Sequence, residues 1–228
     1  MLIGYVIFGV VALVSWLIQN NLKSKFDRYS QVRISNGMTG KEVAQKMLRD
    51  HGIYDVTVIS TDGHLTDHYN PVNKTINLSE NVYSANSVAA AAVAAHECGH
   101  AVQHATAYAP LQLRSQLVPV VSFASNWIQW VLLAGIMTVH SFPQLLLAGI
   151  VLFAFTTLFS FITLPVEINA SDRALVWLNS SGITNYETHD LAKDALKTAA
   201  YTYVIAALGS LATLVYYIMI YLGGSRRD

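Results

Sequence analysis

The sequence predicts a mainly α, polytopic membrane protein with about four transmembrane helices and a small α+β polar domain. Three observations predict it. Charged side chains make up only 12% of the 228 residues and hydrophobic ones 53%, whereas an average soluble domain carries about 25% charge. The charges are also bunched, because Asp, Glu, Lys and Arg are absent from Met1 to Leu22, from Ser115 to Val166 and from Thr198 to Ser225. The stretches between these gaps carry the turn, strand and capping signals of a folded polar layer.

A hydrocarbon core of about 30 Å takes about 20 apolar helical residues to cross, since backbone groups must be satisfied inside the helix. The gaps therefore hold four spans, at Leu2 to Gln19, Leu117 to Val139, Pro143 to Leu164 and Ala200 to Leu222, with His140 to Phe142 as a tight turn. The expected organisation is a first transmembrane helix in 1–22, a polar domain in 23–114, a transmembrane hairpin in 115–166, a second polar segment in 167–199 and a fourth transmembrane helix in 200–222. The first span lacks the basic start and the small-residue cleavage site of a signal peptide, so it reads as a retained anchor.

With the N-terminus outside, twelve of the 14 Lys and Arg residues fall on the inner side and only Arg226 and Arg227 fall outside. The positive-inside rule then puts the polar domain on the cytoplasmic side of a multi-pass cell-membrane protein. A formal net charge of zero gives no reason to expect nucleic acid as a partner. The single cysteine, Cys98, has no internal disulfide partner and says nothing of redox compartment.

In the polar domain, Asn20 to Arg33 reads as a connector and Gly40 to Asp50 as a helix capped by Thr39, with Val43, Met47 and Leu48 as its buried stripe. Asp55 to Ser60, His64 to Tyr69 and Lys74 to Leu78 read as strands, the first two separated by a turn at Thr61-Asp-Gly63. A long Ala-rich helix starts behind Ser87 and runs to about Ala107.

That helix carries His96-Glu97-Cys98-Gly99-His100. Two imidazoles four residues apart differ by about 40° around the axis and about 6 Å along it, so both can reach one zinc ion, while Glu97 lies near enough to take a proton from a water beside it. A catalytic zinc takes three protein ligands and keeps an open position. Glu167 is the expected third ligand: it is the first charge after the hairpin, and two crossings return the chain to the side it left. The plainer reading of Glu167 is an acid favoured at a helix start, and Pro165 predicts that the third span breaks there and a fresh helix begins. His104 continues the four-residue spacing, but eight residues of helix rise about 12 Å, too far for His96, His100 and His104 to share one ion. It reads as a residue that supports the metal ligands from behind or that serves the fold.

Leu65-Thr-Asp-His-Tyr-Asn-Pro71, Lys74-Thr-Ile-Asn-Leu-Ser79, Ala94-Ala-His-Glu-Cys-Gly-His-Ala-Val-Gln-His104 and Leu164-Pro-Val-Glu-Ile-Asn-Ala-Ser171 resemble the YugP-like neutral zinc metallopeptidases of membranes, and the similarity runs through nearly the whole chain. The layout is similar to that of the HtpX and CAAX-processing membrane gluzincins. The resemblance implies a zincin-like polar domain, a Zn2+ cofactor, and hydrolysis of peptide or protein substrates beside a lipid bilayer, with Glu97 as general base and acid. In the broader group an Asp follows the Glu ligand by four residues; here that position is Ser171. The ligand-supporting role therefore stays open among Asn169, Ser171 and Asp172, and the oxyanion donor among His68, Tyr69, His104 and Arg173. The strand Lys74 to Leu78 is a further expectation, as an edge for an extended substrate.

Two other classes compete with this reading. An intramembrane site-2-type protease would place Val88 to Ala109 across the bilayer, at the cost of burying Glu97 and three histidines in lipid. A structural, sensing or transporting zinc protein would need a fourth ligand, and Cys98 points about 200° away from His96.

Overall fold

The computed structural model describes residues 2–63 and 65–224. In chain order the elements are α1 (Leu2–Tyr29), α2 (Gly40–Asp50), β1 (Thr57–Thr61), β2 (His68–Asn70), β3 (Thr75–Ser79), α3 (Glu80–Ser84), α4 (Val88–Ala105), α5 (Ala109–Met137), α6 (Pro143–Ser180) and α7 (Tyr186–Gly224). The fold is mainly α with one small sheet, and α1, α5, α6 and α7 are long and apolar enough to cross a membrane. The chain divides into two compact units, one of Met1–Leu17, Leu113–Leu164 and Thr202–Asp228, the other of Ile18–Gln112 and Pro165–Tyr201.

In the first unit small residues let helices approach closely, as expected where apolar side chains gain little by leaving lipid. Gly135 of α5 sits against the backbone of Leu146 in α6, and Thr157 and Ser210 join α6 to α7 by a hydroxyl hydrogen bond of 2.7 Å. Large apolar side chains such as Phe123, Trp127 and Trp130 face outward. A Cβ at position 135 would stand 2.5 Å from the Leu146 Cα. Gly135→Ala is therefore expected to destabilise the protein by about 1–3 kcal/mol, read as a lowered melting temperature in detergent. Gly9→Ala, where a Cβ meets nothing within 4 Å, is expected to be neutral or slightly stabilising.

In the second unit, α2 begins with a complete capping box, since Thr39 Oγ1 accepts from the Glu42 amide and the Glu42 carboxylate accepts from the Thr39 amide. Its buried stripe of Val43, Ala44, Met47 and Leu48 joins a core with Val58, Ile76, Leu78 and the alanine face of α4. The sheet has the order β1-β3-β2, with β1 parallel and β2 antiparallel to β3. Lys25 and Tyr29 of α1 hold Asp194 of α7, at 2.8 and 2.6 Å.

Several expectations are corrected. The stretch Asn20 to Arg33 is not a connector: α1 continues to Tyr29, because Leu22, Lys23, Lys25 and Arg28 favour helix and no Gly or Pro occurs from Asn20 to Tyr29. Pro165 does not break the chain: α6 runs unbroken through it. One missing amide and a local clash are tolerated where a long apolar helix has no better alternative. Of the strand expected from His64 to Tyr69, His64 lies outside the described residues and pairing starts only at His68. Leu65 takes a left-handed φ of 59°, Thr66 Oγ1 donates to the Asp62 carbonyl, and Asp67 accepts from the amide and hydroxyl of Ser79. The third strand is the central one, paired on both sides, so it has no open edge; the edges belong to β1 and β2. Nor is α4 among the helices suited to crossing a membrane; nearly all of it is buried in protein.

Candidate metal centre

Ser87 caps α4 by accepting from the Ala90 amide at 3.2 Å, and the alanines that follow let the helix sink among its neighbours. On its back, Cys98 directs its thiol to the Ala44 carbonyl of α2 at 3.5 Å. Gly99 lies against the backbone of Ala170 in α6, where a Cβ would be 2.5 Å from the carbonyl oxygen. This contact brings α4 and α6 together at the turn that carries the histidines.

His96 and His100 stack edge to face with ring centroids 4.8 Å apart. Their Nε2 atoms lie 3.3 and 3.6 Å from one carboxylate oxygen of Glu167, and the three ligand atoms fall within 4.8 Å of one another. The spacing discriminates between two readings. Charge-assisted hydrogen bonds are about 2.7–2.9 Å long, shorter than either distance. Ligands held tetrahedrally about 2.0–2.1 Å from one zinc ion stand about 3.3 Å apart, and two imidazoles with one carboxylate are a catalytic zinc donor set. The residues fit the metal.

Behind the histidines, His96 Nδ1 lies 3.0 Å from Ser171 Oγ. Because α6 is unbroken, Ser171 is one turn beyond Glu167 on the same face. His100 Nδ1 lies 3.0 Å from Gln103 Oε1, and the Gln103 amide donates to the Val166 carbonyl and to Asn169 Oδ1 at 2.8 and 3.0 Å. Asn169 also accepts from Arg173 Nε at 2.8 Å. The sequence alone assigns Gln103 no role. Its position three residues after His100, on an otherwise small and apolar helix, was the available signal.

Glu97 is buried, and one of its oxygens accepts the backbone amide of Tyr69 in β2 at 2.9 Å. The Tyr69 hydroxyl meets His104 Nδ1 at 2.7 Å, so those two form a pair one turn beyond His100. The structure does not bring His68 or Asp172 to the cluster. His68 is exposed with Nδ1 on the Thr66 carbonyl, and Asp172, on a continuous helix, is exposed too. Arg173 spends its Nε on Asn169 and lies over the Tyr108 ring.

Burial disfavours the charged form of His100, but the negative charges of Glu97 and Glu167 beside it outweigh that and raise its pKa. Burial, with the Asp55 charge, raises that of Tyr69. Burial, reinforced by Glu97, pushes the Cys98 thiol well up.

No solved structure matches the chain. The family model described as "Putative neutral zinc metallopeptidase" matches residues 4–222. A protein of Bacillus subtilis (strain 168) named "Putative membrane protease YugP" is 42% identical over 221 residues, covering 96% of this chain and 97% of its own length. With a match from end to end and this donor set at its centre, the chain belongs to the neutral zinc metallopeptidase family.

Proposed function

We propose that the protein is a membrane-embedded zinc endopeptidase of the gluzincin type, in which His96, His100 and Glu167 hold one Zn2+ and Glu97 is the general base and acid. The observation that carries this reading is the convergence of both Nε2 atoms on one Glu167 oxygen at 3.3 and 3.6 Å. Bound there, zinc supplies Lewis acidity, polarising a scissile carbonyl and bringing the pKa of a water toward about 7. The Tyr69 amide fixes one Glu97 oxygen, and the other takes the proton of the attacking water and returns it to the leaving amine. Tyr69, with its hydroxyl on His104, is the donor offered to the developing oxyanion. A structural zinc site would require a fourth protein ligand, whereas the group found among the described residues has three.

The four long apolar helices support embedding in the cell membrane, as two single spans, within 1–22 and 200–222, and a hairpin within 115–166. The excess of Lys and Arg between them supports a cytoplasmic active site. Peptides or proteins, membrane proteins included, are the substrates.

The test is the zinc content and casein hydrolysis of the detergent-purified protein, before and after a zinc chelator. About one zinc per chain is expected, with cleavage lost on chelation and restored by added zinc. Cleavage that persists without metal, or a protein that binds no zinc, overturns the reading. Glu167→Ala is expected to purify folded without zinc; retention of the metal at wild-type affinity would move the third ligand elsewhere.

A further inference from the structure

Gln103 is completely buried, and its amide cannot be turned round. The Val166 carbonyl, 2.8 Å from Gln103 Nε2, can only accept, so the NH2 group must face it and the amide oxygen must face His100. The far end is fixed in the same way. Arg173 Nε can only donate, so the Asn169 oxygen faces it, and that oxygen also accepts from Gln103 at 3.0 Å. Two groups of fixed polarity therefore set every donor and acceptor between them. The Gln103 oxygen, 3.0 Å from His100 Nδ1, is a nearer acceptor than the Glu167 oxygen, 3.6 Å from Nε2, so a neutral His100 carries its proton on Nδ1. Its Nε2 lone pair is left toward Glu167.

We propose that Gln103 is a positioning residue which, held by Val166, Asn169 and Arg173, locks His100 in the Nδ1–H tautomer and presents Nε2 to the metal. The value of this for catalysis rests on the peptidase reading; the tautomer itself does not. His96 is built differently. Its partner, Ser171, is a hydroxyl that donates or accepts, so that partner does not fix the tautomer of His96. The two ligands are unequal: His100 is set before metal arrives, and His96 adapts.

Outer partners of metal-bound histidines are worth about 10–100-fold in metal affinity. Gln103→Leu, close in size and unable to accept, is expected to weaken zinc binding by that factor in competition with a chelating dye. Ser171→Ala is expected to cost less. The direct readout is the 15N–1H correlation of histidine side chains in metal-free, 15N-labelled protein above pH 8, with His100 assigned by its loss in His100→Asn. Wild type is expected to show His100 as the Nδ1–H tautomer, and Gln103→Leu a mixture. An Nε2–H tautomer in wild type overturns the proposal whether or not Gln103→Leu folds. So does a folded Gln103→Leu that keeps both the tautomer and wild-type zinc affinity. If wild type has the expected tautomer but no zinc-dependent cleavage, the peptidase reading fails and the role of Gln103 stands.

Discussion

Glu97→Gln is expected to hold zinc as wild type does and to lose about 10²–10⁴-fold in peptide hydrolysis. The substitution keeps shape and volume at a buried position, and the new amide oxygen can still accept the Tyr69 amide that now binds Glu97 at 2.9 Å. None of the three atoms proposed to hold the metal is altered. What disappears is a group able to take a proton from water and return it. The measurement is turnover on a quenched peptide beside metal analysis of the same sample. A variant that cleaves like wild type would remove Glu97 from the chemistry, and one that loses zinc as well would make it a structural acid.

Gly99→Ala is expected to have the larger structural effect. A Cβ there would lie 2.5 Å from the Ala170 carbonyl oxygen and 3.0 Å from its carbonyl carbon and Cα. All three are backbone atoms of α6, so no side chain can swing aside and the helices themselves must part. Overpacking of this kind costs about 1–3 kcal/mol, partly offset by the better helix propensity of Ala, about 1 kcal/mol. The displacement falls between the histidines of α4 and Glu167, three residues before Ala170. Since misplacement by about 1 Å costs about 10²-fold in rate, weakened zinc binding and activity reduced by about that factor are expected, seen by dye competition and turnover at a temperature where circular dichroism shows the chain folded. Wild-type affinity in this variant would mean that the close approach does not set the ligand geometry.

Much of this was legible in the sequence because the signals were large or periodic. Long charge-free runs mark the four apolar helices, Thr39 and Ser87 mark helix starts, and four-residue spacing plus the parity of two crossings brought His96, His100 and Glu167 together. What was not legible depended on competition between local and distant effects. Pro165 disfavours helix by itself, yet the apolar run before it and the packed turn after it leave no better conformation. Thr66 and Asp67 look like strand residues until their side chains are seen bonded to the Asp62 carbonyl and to Ser79. Gln103 looks like a spacer because its role depends on the Val166 carbonyl, 63 residues further along the chain.

Cys98, between His96 and His100 of α4, is chemically shielded. Its sulfur is fully buried against α2, and its thiol is kept protonated. Thiolate, the form that alkylating agents and oxidants attack, is thus scarce and out of reach. While the chain is folded, Cys98 should pass through maleimide labelling and peroxide exposure unmodified. A single cysteine introduced at any exposed position would then carry a fluorophore or spin label without first making a cysteine-free background.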